Sequence, residues 1–438
     1  MPLLIVVLGI VLLFILIARF KLNAFIAFII VSLGVGIAEG MELELLVQSI
    51  QNGIGSTLGF LVMILGLGAM LGKLVADSGA AQQITSRLVA KFGTKNIQWA
   101  LVLTGFIVGI PMFYSVGFVI LIPLIFTIAA ATRLPLLYVG LPMIAALSVT
   151  HGYLPPHPAP TAIATTFNAD IGKTLLYGII IAIPAIIVAG PLFSRTIKNI
   201  TATPLKEFVN PRILKESEMP GMATSIFTAL LPILLIVMAT LADLFIPAEN
   251  PILPFLHFIG NPVVAMLLSV LVAIYTLGLA RGKKMPEIMG SVSSGISGIT
   301  MILLIIAGAG ALKQVLIDSG VSLYIAEILK DSALSPLVLA WMAATVIRVC
   351  VGSATVAGLT TAGIVLPLVS ATGTSPELMV LAIGSGSLML SHVNDSGFWL
   401  FKEYFNLTVN ETLRTWTVME TTVGVMGLVG VLVLNLFL

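Results

Sequence analysis

The sequence predicts an all-α polytopic membrane protein built from two inverted-topology repeats. Each repeat has about five transmembrane helices, one re-entrant helical hairpin and one broken helix. Three observations predict this. First, the 438 residues are 58% hydrophobic and only 9% charged, with a mean hydropathy of +1.14. A soluble domain carries about 25% charge, so lipid must solvate much of this chain. Second, landmarks recur in the same order. Leu67 to Gly79 reads LGAMLGKLVADSG and Gly308 to Gly320 reads GAGALKQVLIDSG. Thr150-His151 precedes Ser391-His392 by about 241 residues. Phe167-Asn168 leads into Lys173-Thr174-Leu175, as Phe405-Asn406 leads into Glu411-Thr412-Leu413. Third, the basic residues segregate to one face when the second half is inverted.

A spanning helix needs about 20 apolar residues. The first half offers 2–18, 22–39, 54–76, 137–165 and 174–194, and the second 224–247, 262–280, 296–317, 378–401 and 416–437. The first segment lacks a basic n-region and a cleavage site, which makes it a retained helix rather than a signal peptide. Two apolar stretches, 97–131 and 336–371, are long for one crossing, and each has a small or polar centre at Gly109–Ser115 and Gly352–Gly358. They read as hairpins entering and leaving on one side, a geometry tolerated only where the tip is buried in protein or faces a cavity.

With five crossings per half, about 17 of the 21 basic residues fall on one face, from Arg19 and Lys21 through Lys73, Arg87, Arg281 and Lys283 to Arg414. The positive-inside rule makes that face cytoplasmic, so both termini are periplasmic. Residues 1–197 form the first repeat, 198–222 a polar cytoplasmic linker, and 223–438 the second repeat. Counting the hairpins as full crossings would scatter the charges.

Duplication in so apolar a chain points to a transporter assembled from structural repeats. A net charge of +2 gives no reason to expect a nucleic-acid partner, and one cysteine, Cys350, precludes an intrachain disulfide. The sequence holds no HExxH, Cys/His metal spacing, Walker A or GxSxG motif, so no metal, cofactor or enzymatic activity is expected. The linker is too short for a nucleotide-binding domain, which leaves an ion gradient or passive flow as the driving force.

The fourth span of each half breaks. Thr150 to Pro160 holds four prolines within six positions, and proline cannot continue a helix interior. The other break, Ser391 to Gly397, is polar and small. Broken helices expose amides and carbonyls, and the amide ends favour anions. Two breaks and two tips near the midplane would enclose a polar chamber. A carboxylate at membrane depth is costly and functional by default, which singles out Asp395, with His392 three residues earlier as its partner; capping of the second half-helix is the plainer role. His392 and His151 occupy matching positions by sequence. Each serves substrate hydroxyls or protons, or satisfies backbone at the break. His157 in the proline run reads as structural. Arg348 reads first as satisfying hairpin carbonyls or pairing with Asp318 or Asp331, and second as binding a substrate carboxylate. Ser353 and Thr355 at the second tip suit a hydroxylated anion, and Tyr114 and Ser115 hold the first tip. Asp77-Ser78-Gly79 and Asp318-Ser319-Gly320 read as glycine-stopped helix ends.

The run His392–Lys402 (HVNDSGFWLFK), Gly352–Ala357 (GSATVA), Lys313–Gly320 (KQVLIDSG) and Pro155–Pro158 (PPHP) resembles the GntP (gluconate permease) family of gluconate:proton symporters over essentially the whole chain. The resemblance implies import of gluconate or a related sugar acid across the bacterial inner membrane with protons, and the HVND run favours sugar acids over D-serine. Through the wider ion-transporter superfamily it implies a homodimer working as an elevator. The expected substrate contacts are Ser353, Thr355, His151, His392, Asn394, Asp395 and Tyr114. Proton coupling is expected through Asp395 and His392, because Ser115 stands where the family usually has glutamate. That departure keeps open a uniporter, or a carrier of another small hydroxy-carboxylate or D-serine with weak or absent coupling. An intramembrane hydrolase using a serine with His392 and Asp395 is a rival reading.

Overall fold

The computed structural model describes residues 2–197, 199–203, 214–321, 324 and 334–438. Much of the expected linker, including Lys198, Lys206 and Arg212, lies outside the described residues, as do Lys330 and Asp331. The described residues are helical, without strands. The first half contains α1 (Pro2–Phe14), α2 (Ala24–Ala38), α3 (Leu43–Asp77), α4 (Ala80–Phe92), α5 (Ile97–Gly109), α6 (Tyr114–Thr132), α7 (Leu136–Tyr153), α8 (Pro158–Phe167), α9 (Ile171–Ile187) and α10 (Phe193–Thr196). The second contains α11 (Met222–Phe245), α12 (Leu253–Gly260), α13 (Pro262–Ala273), α14 (Met285–Ser297), α15 (Thr300–Asp318), α16 (Pro336–Val351), α17 (Ala354–Thr372), α18 (Pro376–Gly386), α19 (Ser396–Phe405), α20 (Val409–Thr412) and α21 (Val418–Leu434).

Among the described residues, eight helical stretches are long and apolar enough to cross a membrane. Their outward faces carry large apolar side chains. On α21, Val418, Val425, Val429 and Val433 are exposed while Met419, Val423 and Val431 are buried. That is a helical stripe turned away from the core, and lipid is the solvent that accepts it. By contrast α7 is apolar all round and buried nearly throughout, the mark of a central helix.

Two expectations about extent change. Helix α3 runs 35 residues from Leu43, longer than the span 54–76; its first turns are largely exposed, and Ser49 ties them to α15 by donating to Asp318 at 2.6 Å. Helix α4 is an amphipathic element in a stretch to which the sequence assigned no span. It buries Ala81, Ile84 and Leu88 and is clasped by the end of the linker. There Gln82 exchanges hydrogen bonds with Leu214 at 2.9 and 3.1 Å, and Arg87 pairs with Glu216.

The glycine-stopped ends take the expected form. Ser78 and Ser319 cap α3 and α15, followed by Gly79 and Gly320 at φ +79° and +77°. Helix α3 packs against α14 and α15, and the two runs are antiparallel, since Ser49 meets Asp318 while Gly295 meets Ala69. The contact repeats itself. A Cβ on Gly53 would reach the Gly310 carbonyl at 2.4 Å, one on Gly310 the Gly53 carbonyl at 2.6 Å, and one on Gly295 the Ala69 carbonyl at 2.7 Å. Only glycine lets backbones approach this closely, as in small-residue interfaces within membranes.

Candidate functional site

The first break is narrower than expected. Helix α7 stops at Tyr153, and only residues 154–157 leave the helix. Pro158 and Pro160 begin α8 rather than interrupting it, because the first-turn N–H groups have no intrahelical acceptor to lose. His157 stands just before α8. It is buried, and its Nε2 lies 2.9 Å from the carbonyl oxygen of Gly109, where α5 ends.

The second break is wider. Helix α18 ends at Gly386, and residues 387–395 are non-helical. Asp395 then caps α19 by accepting the Gly397 N–H at 3.0 Å. Its other oxygen accepts from the Arg348 guanidinium and from the Ser391 hydroxyl. Arg348 also donates to the Gly352 carbonyl at the second hairpin tip, and Trp416 Nε1 donates to Ser391 at 2.7 Å. The Arg348 and Asp395 side chains are 3% and 14% exposed, so they are taken out of water together, the condition under which a buried charge pair is tolerated. Arg348 therefore pairs with Asp395 and not with Asp318. Asp318 instead accepts from Ser49 and Gln314, and Asp331 lies outside the described residues.

Both breaks follow one scheme. The residue preceding the second half-helix, His157 or Asp395, is tied to the end of a hairpin's first arm. The half-helix starts, Pro158 and Ser396, are 238 residues apart, so the structural counterpart of Asp395 is His157. His151 and His392 are not equivalent: His151 sits in the last turn of α7, and His392 lies inside the non-helical segment. The second arms α6 and α17 are both 19 residues long. Their starts match Ser115 with Thr355, not with Ser353.

The two tips and the two broken helices converge on a cavity of about 220 Å³. Phe113, Tyr114 and Ser115 line it from the first tip, Ser148 and His151 from α7, and Arg348 with Gly352 to Thr355 from the second. Asp395 to Gly397, Trp416 and Glu420 complete the wall. The Tyr114 ring lies tilted against His151 at 6.1 Å and against Trp416 at 5.8 Å, measured between ring centroids. The Tyr114 hydroxyl and the His151 Nδ1 are buried with no hydrogen-bond partner. Ser353 Oγ accepts the Val356 N–H at 3.3 Å, capping α17.

Of the sequence-derived candidates, Ser353, Thr355, His151, Asp395, Tyr114 and Ser115 line this cavity. Asn394 and His392 do not. Asn394 turns its amide onto the Val349 carbonyl at 2.8 Å and latches the break to α16. His392 lends its backbone carbonyl to the Asp395 N–H at 2.9 Å, because the segment curls back before α19. A Ser–His–Asp relay through His392 is therefore not assembled, and Ser391 is engaged by Asp395 and Trp416 instead. Sequence reasoning missed Glu420 and Trp416. Glu420 was detectable as a carboxylate inside an apolar span.

A helical body of membrane-length helices around a polar cavity, closed by two hairpin tips and two helix breaks, defines a membrane transporter. The chain belongs to the GntP permease family, since residues 1–437 match the family described as GntP family permease. It is accordingly a permease rather than an enzyme. It is 54% identical over 436 residues to the high-affinity gluconate transporter of Escherichia coli K12, covering 100% of both chains. It is 55% identical over 435 residues to the Gnt-II system L-idonate transporter of the same organism, with 99% of each chain covered. Identity to the gluconate permease of Bacillus subtilis 168 is 50% over 446 residues, covering 100% of both. Two solved folds resemble it at 17% identity. The Alcanivorax borkumensis YdaH transporter gives a TM-score of 0.66, with 94% of this chain and 96% of that one covered. Neisseria gonorrhoeae MtrF gives 0.65, with 94% and 93% covered.

Proposed function

We propose that this permease is a secondary active transporter that imports gluconate or a closely related sugar acid across the bacterial inner membrane together with protons. The observation that carries the proposal is the cavity wall. One buried guanidinium, Arg348, shares the wall with Ser353 and Thr355, and with Tyr114 and His151, whose hydroxyl and Nδ1 are unpartnered. A cation flanked by hydroxyls suits a carboxylate, and unfilled polar groups suit a polyol chain. The names of the relatives, two gluconate carriers and an L-idonate carrier, favour the same substrate class.

The alternating-access reading is an elevator in which the hairpins and broken helices move as a body, in a homodimer with both termini periplasmic. Its support is the antiparallel, self-matching contact between α3 and its counterpart run α14–α15, which is the relation that inverted repeats generate about an axis in the membrane plane. Further support is the contact of Gln82 with Leu214 and of Arg87 with Glu216, which joins segments assigned to one face. Asp395 is paired with Arg348, and His392 stands off the cavity with its Nδ1 buried and unpartnered.

Proteoliposomes test the proposal. Inward acidification of the outer medium should drive gluconate accumulation above equilibrium. Saturable counterflow without accumulation would identify a uniporter instead, and preference for D-serine over gluconate in thermal-shift titrations would overturn the substrate assignment.

A further inference from the structure

Glu420 lies one turn into the last transmembrane run, is 2% exposed, and lines the cavity. Its Oε1 is buried with no hydrogen-bond partner. Ser148 approaches the carboxylate from α7. The cavity's one guanidinium is already engaged: Arg348 is bonded to Asp395 and to the Gly352 carbonyl. The wall therefore holds two carboxylates and one cation, which is paired with Asp395 and keeps only its Nε without a partner.

We propose that Glu420 is the proton carrier of this transporter, protonated when the sugar acid binds and deprotonated when it leaves. The inference rests on the proton-coupled reading above. An uncompensated carboxylate anion in a water-poor interior is costly unless it is paired or neutralised. A substrate carboxylate brought into the same cavity adds a second negative charge beside it. Neutral Glu420 removes that repulsion, so proton and anion bind cooperatively, and by linkage each raises the affinity of the other by the same factor.

The surroundings are specific. Facing Glu420 are Arg348 on α16, Asp395 before α19, Ser148, His151 and Tyr153 on α7, and Tyr114 at the first tip. Helices α18 and α9, also packed on α21, meet it through Ser385 and Ile181. Tyr153 is spoken for, since its hydroxyl donates to the Val423 carbonyl. Glu420 has no equivalent in the other half. The pair Phe405-Asn406 and Phe167-Asn168 sets a spacing of 238 residues, which puts Ala182 at the matching place. Asp395 is one-sided too, but it caps α19 and is paired with Arg348, whereas Glu420 Oε1 has no partner. Glu420 also supplies a carboxylate that Ser115 does not.

The test is gluconate binding to purified protein, read by calorimetry across pH, together with proton-driven uptake in liposomes. Wild type should bind gluconate with an affinity that falls about tenfold per pH unit on the alkaline side of the Glu420 titration, the slope of one linked proton. Glu420→Gln, a permanently neutral mimic, should bind with a flat pH profile and lose accumulation driven by a pH gradient. Glu420→Asp should keep both the slope and the accumulation, which also guards against a glutamine variant that fails to fold. A Glu420→Gln profile as steep as wild type, or a Glu420→Asp protein with a flat one, would overturn the assignment to Glu420 alone. Wild type with no response to a pH gradient would overturn proton coupling itself, and the assignment with it.

Discussion

The α-carbon of Gly352 faces the backbone of Asn394 so closely that a Cβ there would stand 2.2 Å from the Asn394 carbonyl oxygen. The second hairpin tip and the second helix break thus meet backbone to backbone. Gly352 also holds φ at +79°, a region that costs other residues about 1–2 kcal/mol. Gly352→Ala meets both penalties, and the atom it strikes is main chain, which cannot rotate away. The expected outcome is a lower unfolding temperature in detergent and loss of gluconate uptake. Unchanged uptake would mean that this contact opens during the transport cycle at little cost.

Arg348 and Asp395 form a buried pair in which each also holds backbone: Arg348 the Gly352 carbonyl, Asp395 the Gly397 amide. Removing one partner strands a charge, at about 3–5 kcal/mol. Arg348→Ala and Asp395→Ala are each expected to destabilise strongly, and the double variant by clearly less than the sum. A thermal-unfolding double-mutant cycle checks this, with additivity as the contrary result. Arg348→Lys keeps the charge but loses the two-pronged geometry, so gluconate uptake should fall sharply even where the protein folds.

Tyr114 separates binding from folding. Its ring is packed between His151, Phe118 and Trp416, while its hydroxyl has no protein partner. Tyr114→Phe should leave stability unchanged. If the hydroxyl meets a substrate oxygen, gluconate affinity should drop by the worth of one hydrogen bond, about 0.5–1.5 kcal/mol or roughly 2- to 12-fold. Isothermal titration beside a melting curve decides it. A variant that melts early with unaltered affinity would place the hydroxyl in the fold instead.

Ser115 is exposed on the cavity wall at the first turn of α6. Ser115→Glu would add a carboxylate to a wall that already carries Glu420 and Asp395. Like charges in one cavity resist joint ionisation, so the pH dependence of uptake should move to higher pH relative to wild type. An unaltered profile in proteoliposomes would show that the first tip does not communicate with the proton site.

Sequence disclosed the features that depend on composition and local order. Apolar runs, the duplicated LGAMLGKLVADSG stretch and the punctuation by Asp-Ser-Gly gave the membrane class, the landmarks of the halves and the ends of α3 and α15. The register of the breaks was less legible. Thr-His and Ser-His look alike as dipeptides, yet one lies inside a helical turn and the other in a loop, because proline at 158 and 160 initiates a helix where no proline does so at 396. Pairings across the fold were not legible at all. Arg348 finds Asp395 across 47 residues, and Asn394 turns away from the cavity toward Val349, both decided by how the hairpin docks. Glu420 was legible as a carboxylate within an apolar span, but only packing reveals that it faces the cavity.

The glycine contact between α3 and α15 has a consequence for how such a chain can arise. Gly53 and Gly310 meet in one place, and Ala69 and Gly295 meet in nearly the mirrored one, so the surface is complementary to its own copy. A half-length protein inserted in both orientations would already possess the seam needed to pair with its twin. Joining the twins in one chain adds no contact there. What it adds is licence to differ: His157 on one side and Asp395 on the other, Ala182 here and Glu420 there. The difference leaves the two breaks with unlike chemistry, a histidine before α8 and a carboxylate before α19.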